Sequence, residues 1–88
     1  MRIIISPQAE KKLRKLQKLE QIAIAKKIRQ ISIDEGNIAT KLKGYKDVYR
    51  VRMGDFRIVY RFIDENLRII LIGRRKDIYE ELKRLLGK

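Results

Sequence analysis

Apolar residues recur along this chain with two different periods, and the change from one to the other divides it. Arg2 to Ser6 reads as a short strand of three consecutive isoleucines closed by Ser6-Pro7. Ser6 can cap a helix, and Pro7 suits the first helical position, where a missing N–H costs nothing. Ala9, Leu13, Leu16 and Leu19 then form one helical stripe, with Lys11, Lys12, Arg14, Lys15 and Lys18 over the rest of the surface. A second helical pattern runs from about Glu20 to Asp34. Its stripe is Ile24, Ile28 and Ile31, widened by Ile22 and Ala25, and Gly36-Asn37 stops it. Both stripes must face one small core, so the two segments should form a helical hairpin.

After Gly36 the period falls to two. A lysine-rich connection from Ala39 to Asp47 leads into Val48–Met53, a turn at Gly54-Asp55, Phe56–Ile63, a turn at Asp64-Glu65-Asn66, and Leu67–Ile72. Asp77 to Leu86 reads as a short C-terminal helix ending at Gly87. The order β-α-α-β-β-β predicts a single α+β domain over residues 1–88. The expectation is a helical hairpin on one face of a small antiparallel sheet, plus the short C-terminal helix.

Register adds chemistry to this outline. A two-residue turn at Gly54-Asp55 pairs Met53 with Phe56, Arg52 with Arg57, Val51 with Ile58 and Arg50 with Val59. Tyr49, Val51, Met53, Phe56, Ile58, Tyr60 and Phe62 then share the core face, while Arg50, Arg52, Arg57 and Arg61 share the other with Val59. Like charges directly opposite on a sheet destabilise it, and between Val48 and Ile63 the only acidic residue is Asp55, in the turn. An ordinary solvated face would carry acidic neutralisers. This one is better suited to an anion. With Glu65-Asn66 as the next loop, Phe62 pairs with Ile69 and Tyr60 with Leu71, which sets Arg74 beside Arg57. Arg75 points the other way unless Gly73 breaks the strand. Guanidinium forks match phosphate oxygens bidentately.

Composition sharpens the reading. Among 88 residues, 23 Lys and Arg oppose 11 Asp and Glu, a formal net charge of +12, which favours a nucleic-acid partner. There is no Cys, His or Trp, so disulfides, thiolate nucleophiles, imidazole bases and Cys- or His-ligated metals are excluded. No cofactor or metal is expected. The longest apolar runs are too short for a membrane span and no leader pattern is present, so a cytoplasmic protein with no membrane partner is expected. Abundant Ile and scarce Ser, Thr, Asn and Gln fit a thermophile.

Three segments together carry a family resemblance: Leu42-Lys43-Gly44, the run from Tyr49 to Tyr60 (YRVRMGDFRIVY), and Arg74-Arg75-Lys76-Asp77-Ile78-Tyr79. With the N-terminal strand and hairpin, the chain resembles the RelE/ParE toxin superfamily over essentially its whole length. The resemblance implies the RelE-like microbial RNase fold and the toxin of a type II toxin–antitoxin pair that cuts mRNA in the ribosomal A site. The partners implied are a 70S-type ribosome with its mRNA and an acidic, helical antitoxin that wraps the toxin. The toxin itself would be a monomer, joining a heterotetramer or larger assembly with the antitoxin. By position, the resemblance makes Arg50, Arg52, Arg57, Arg74 or Arg75, and Tyr79 the catalytic set, with Tyr79 stacking on a base. Arg stands where relatives often carry His or Lys, and a protonated guanidinium is a poor general base. The proton acceptor stays open among Asp77, Tyr79, Glu80, Glu81 and ribosomal RNA. Lys41, Lys43, Lys46 and Arg61 would hold RNA by charge. The alternatives are a ParE-like toxin that inhibits DNA gyrase by binding it, and a catalytically weak RNA-binding relative.

Overall fold

The computed structural model describes residues 2–34, 40–74 and 77–87. Their order is β1 (Ile3–Ile5), α1 (Pro7–Arg14), α2 (Lys18–Asp34), β2 (Thr40–Lys41), β3 (Val48–Met53), β4 (Phe56–Ile63), β5 (Asn66–Arg74) and α3 (Ile78–Leu86). One five-stranded sheet runs β1-β5-β4-β3-β2. The α+β order is as read, with two changes to the sheet. Thr40–Lys41, expected as loop, pairs with Arg50 and Tyr49 as a short edge strand. β1 runs parallel to β5, Ile3 opposite Leu67 and Ile5 opposite Ile69, so the sheet is mixed and not wholly antiparallel. The chain leaves β1 into a helix, so no hairpin turn dictates an antiparallel partner. Gly36-Asn37, expected to stop α2, lies outside the described residues.

α1 begins as its sequence demands. Ser6 is the N-cap, its Oγ accepting from the Ala9 N–H at 3.1 Å, with Pro7 next. The expected hairpin is present, joined through Lys15–Gln17. The Gln21 side chain donates to the Leu13 and Leu16 carbonyls at 2.9 and 3.1 Å, satisfying orphan acceptors at the end of α1. Ile24, Ile28 and Ile31 are buried, but the stripe is narrower than expected. Leu19 is 81% exposed, and Ile22 and Ala25 also face outward. A hairpin seated on a short sheet buries one row from α2, and residues to either side of that row stay wet.

β4 is buried on both faces. On one side Val51, Ile58, Tyr60, Leu67, Ile69 and Ile72 pack with Ala9, Ile24, Ile28 and Ile31 of the hairpin. On the other, Val48, Val59 and Leu71 pack with Ile78 and Leu82 of α3. The helices therefore sit on both faces, and Val59, expected among exposed arginines, is covered by α3. Gly87 closes α3 with a left-handed φ of 72°. Among the described residues, no helix is long and apolar enough to cross a membrane.

The β3–β4 hairpin has the expected register at every pair, Arg52 opposite Arg57 included. The β4–β5 hairpin does not. Its turn is Asp64-Glu65, pairing Phe62 with Leu67 and Tyr60 with Ile69, and the register then shifts so that Val59 meets Leu71. Ile70 is the extra residue of a β-bulge, which reverses the facing of everything after it. Arg57 therefore faces Gly73, and Arg74 pairs with Phe56. The bulge is held by Ser6, whose Oγ donates to the Ile70 carbonyl at 2.6 Å while its N–H donates to the Ile69 carbonyl at 2.9 Å.

Two stability predictions follow from the core and the turn. Asp64 and Glu65 carry φ of 51° and 65°, the left-handed pair that a type I′ turn needs and that Asn-Gly suits better. Asp64→Asn with Glu65→Gly should stabilise by about 1 kcal/mol, read as a higher thermal midpoint. Tyr60 is fully buried with an unpartnered hydroxyl, and burial, with Tyr49 stacked on it, pushes its pKa from 10.0 up to about 12. The neutral phenol is the folded form, so this contribution to stability is full below pH 10.0 and is lost as the pH rises toward about 12. Tyr60→Phe should stabilise by about 1 kcal/mol at neutral pH and make that alkaline decline shallower in denaturant titrations.

Candidate nucleic-acid interface

Period-two alternation places Arg50 and Arg52 on one face of β3, and the Gly54 turn returns Arg57 to the same face of β4. α3 arrives over this face because Ile78 and Leu82 cover Val59 and Leu71, and its first turn delivers Tyr79. Arg50 donates through Nη1 to the Tyr79 hydroxyl, with its guanidinium carbon 5.9 Å from the ring centroid. Arg57 is only 5% exposed, while Arg52 opposite is solvent-exposed. The position across from Arg57 on β5 is Gly73, which sends no side chain over it.

Neither guanidinium is fully satisfied. Nε of Arg50 and Nε of Arg57 are both buried without a hydrogen-bond partner. Among the described residues the one ion pair is Arg14–Glu10, on the exposed side of α1, so no carboxylate offsets the charge of this cluster. A buried, unpaired cation is costly. The arrangement gathers planar guanidinium donors on one face with a phenol beside them. It can hold and polarise a phosphate diester; its arginines cannot serve as a base.

The other expected site residues are dispersed. Arg74 is not beside Arg57: the bulge turns it to the hairpin face, where its guanidinium lies 4.8 Å from the Phe56 centroid, in a hollow lined also by Leu19, Glu20 and Met53. Arg75 lies outside the described residues. Register puts Lys41 on the hairpin side with Tyr49. Lys43 and Lys46 are exposed on a loop held to the α3 side by Leu42 and Tyr45. Arg61 is on the arginine face but two positions beyond Val59, so the strip under α3 separates it from Arg57. Glu81, one of the open proton acceptors, lines a groove with Gln8, Lys11, Lys12 and Lys15 instead. No group of three or more acidic residues that could hold a metal occurs among the described residues. Sequence reading missed that α3 shares the arginine face; the signal was Val48 and Val59, apolar on a face otherwise written in arginine.

Because Arg57 is buried with an unpartnered Nε and no carboxylate beside it among the described residues, its removal should help the fold. Arg57→Met should raise stability by about 1 kcal/mol in urea unfolding, and Arg52→Ala should be neutral or raise it by about 0.5 kcal/mol. Loss of folding in both would make the cluster structural.

This fold recurs in known proteins. The family model described as the ParE toxin of type II toxin–antitoxin system, parDE, matches residues 3–79. An Escherichia coli protein described as RelE-like toxin is 35% identical over 77 residues, covering 81% of each chain. An E. coli RelE variant with two arginines changed to alanine, in the free state, superposes with a TM-score of 0.79 at 27% identity over 96% of each chain. A chain of the intact E. coli RelBE toxin–antitoxin complex gives 0.76 at 25% identity, over 85% of this chain and 96% of that one. With an arginine face on a shared fold and a family match along nearly its whole length, this chain belongs to the RelE/ParE superfamily of type II toxin–antitoxin toxins.

Proposed function

We propose that this toxin is a RelE-type, ribosome-dependent endoribonuclease that cuts mRNA in the ribosomal A site. The observation that carries the reading is the pair of buried, unpartnered Nε groups of Arg50 and Arg57, on one sheet face with Arg52 and against Tyr79. A pure binding surface gains nothing from burying an unpaired arginine. A catalyst does, because in a dry site the donors act at full strength on charge that develops in the transition state.

In this mechanism the ribose 2′-oxygen attacks the adjacent phosphorus. The P–O5′ bond breaks, leaving a 2′,3′-cyclic phosphate; the 2′-hydroxyl proton leaves to an acceptor, and the departing O5′ takes a proton from water to become the 5′-hydroxyl. Arg57 and Arg50 hold the non-bridging oxygens and offset the extra negative charge. Arg52, exposed at the rim, aligns the flanking phosphate. Tyr79 leaves its bond to Arg50 and stacks on a base. The proton acceptor is Tyr79, an α3 carboxylate or a group of the ribosome, and the ribosome's contribution would explain dependence on it. The lysines at positions 41, 43 and 46, with Arg61, add salt-sensitive grip on RNA. The toxin–antitoxin complex of E. coli RelBE, which shares this fold, supports an antitoxin as the regulator of this chain too; we expect that antitoxin to be acidic and helical, in a heterotetramer or larger assembly. A cytoplasmic location fits such partners.

The second reading is a ParE-like inhibitor of DNA gyrase, favoured by the family model that matches and by the absence of Arg74 from the cluster. One experiment separates the two. On induction, primer extension should show new 5′ ends within ribosome-bound mRNA, and Arg57→Ala should slow cleavage by about 100-fold or more in a purified translation system. Intact mRNA together with loss of DNA supercoiling would overturn the nuclease reading in favour of the second.

A further inference from the structure

The bulge at Ile70 chooses between two registers that bury the same kinds of side chain. Carried on from Tyr60–Ile69 without a bulge, β5 would set Ile70 opposite Val59, Leu71 opposite Ile58 and Ile72 opposite Arg57. With the bulge, Val59 meets Leu71, Ile58 meets Ile72 and Arg57 meets Gly73. Apolar residues exchange for apolar ones on both faces, so burial barely separates the two registers. The difference falls on Arg57. A first side-chain carbon at position 73 would lie 3.7 Å from Cβ of Ile78, so that position faces α3, as Arg57 does. The bulge thus sets a residue without a side chain beside Arg57, where the other register would set an isoleucine.

Ser6 holds the bulged register. A bulged residue is left out of the ladder, and Ser6 Oγ donates to the Ile70 carbonyl at 2.6 Å. The same oxygen accepts from the Ala9 N–H at 3.1 Å, and the Ser6 N–H donates to the Ile69 carbonyl at 2.9 Å. A hydroxyl can donate and accept at once, which neither a carboxylate nor a methyl can. Capping α1 uses only the acceptor; the donor goes to β5. We infer that Ser6 is a positioning residue for the arginine face: its hydroxyl selects the register that keeps Gly73 opposite Arg57 and leaves room there for a phosphate. The inference deepens the nuclease reading and rests on it for the use made of that room, whereas the choice of register does not depend on it.

Three substitutions at Ser6 test it in the whole chain, each read by melting temperature, by backbone nuclear Overhauser contacts of Arg57, and by cleavage of ribosome-bound mRNA. Ser6→Thr keeps both hydrogen bonds, and the hollow of about 210 Å³ beside it, lined in part by Ile4, Ile63 and Ile70, has room for the methyl. Ser6→Asp keeps the cap but has no hydrogen for the Ile70 carbonyl. Ser6→Ala loses both. Arg57 should contact Gly73 in the wild type and in Ser6→Thr, and Ile72 in Ser6→Asp and Ser6→Ala. Cleavage should follow the register. In the Asp and Ala variants kcat should fall by about tenfold or more, with KM little changed because the basic residues that grip RNA stay in place. An unchanged register in Ser6→Asp and Ser6→Ala would overturn the proposal, and so would a changed register with wild-type cleavage. Unfolding of both variants would overturn it too, since the hydroxyl would then support the whole fold, as would a folded Ser6→Thr that loses the Gly73 contact. A wild type that leaves mRNA intact while the register still changes on substitution keeps the assignment of Ser6 and loses only the nuclease reading.

Discussion

Everything in this small protein hangs on burying β4 from both sides. Phe56 to Tyr60 are all buried, with Ile58 and Tyr60 in the hairpin core and Val59 between them in the α3 core. At roughly 25 cal/mol per Å² of apolar area, two thin layers stabilise so short a chain better than one broad layer could. The arrangement has a chemical result. Arg57 sits on that strand, one alternation from Val59, so the packing that hides Val59 also desolvates Arg57. The desolvation of Arg57 is thus produced by the core rather than added to a finished surface.

The first hairpin could be read in full from the sequence. Gly54-Asp55 allows few turn geometries, and shifting the register by one residue would have driven Arg52 and Arg57 into the core. The second hairpin could not. Ile69-Ile70-Leu71-Ile72 is apolar at both parities, so either register buries apolar groups and the pattern gives no signal of the extra residue. The information lay 64 residues away, in the Ser6 hydroxyl that grips the Ile70 carbonyl. That one bulge separates the correct placement of Arg57 from the incorrect placement of Arg74. α2 was located correctly but its buried row was overestimated, because the apolar positions Ile22 and Ala25 continue past the edge of the sheet that could have covered them, and Leu19, read into the first helix, starts α2 and is exposed.

The candidate site was readable to the same extent as the strands that carry it. Arg50, Arg52, Arg57 and Tyr79 converge because a hairpin and a helix start position them locally. Arg61 and the lysines fall elsewhere, since charge alone does not say which side of α3 a residue will occupy. The like-charge opposition of Arg52 and Arg57 trades folded stability for readiness to meet something negative.

The parallel pairing of β1 with β5 also governs the order of events during synthesis. Ile3 to Ile5 precede the other described strands in the chain, yet among the described residues their sheet partner is β5, which also carries the bulge that Ser6 pins. That pairing has to wait for β5, and Tyr79 cannot lie against Arg50 until α3 has followed it. The arginine face is therefore completed late, by the segments that come last in the fold.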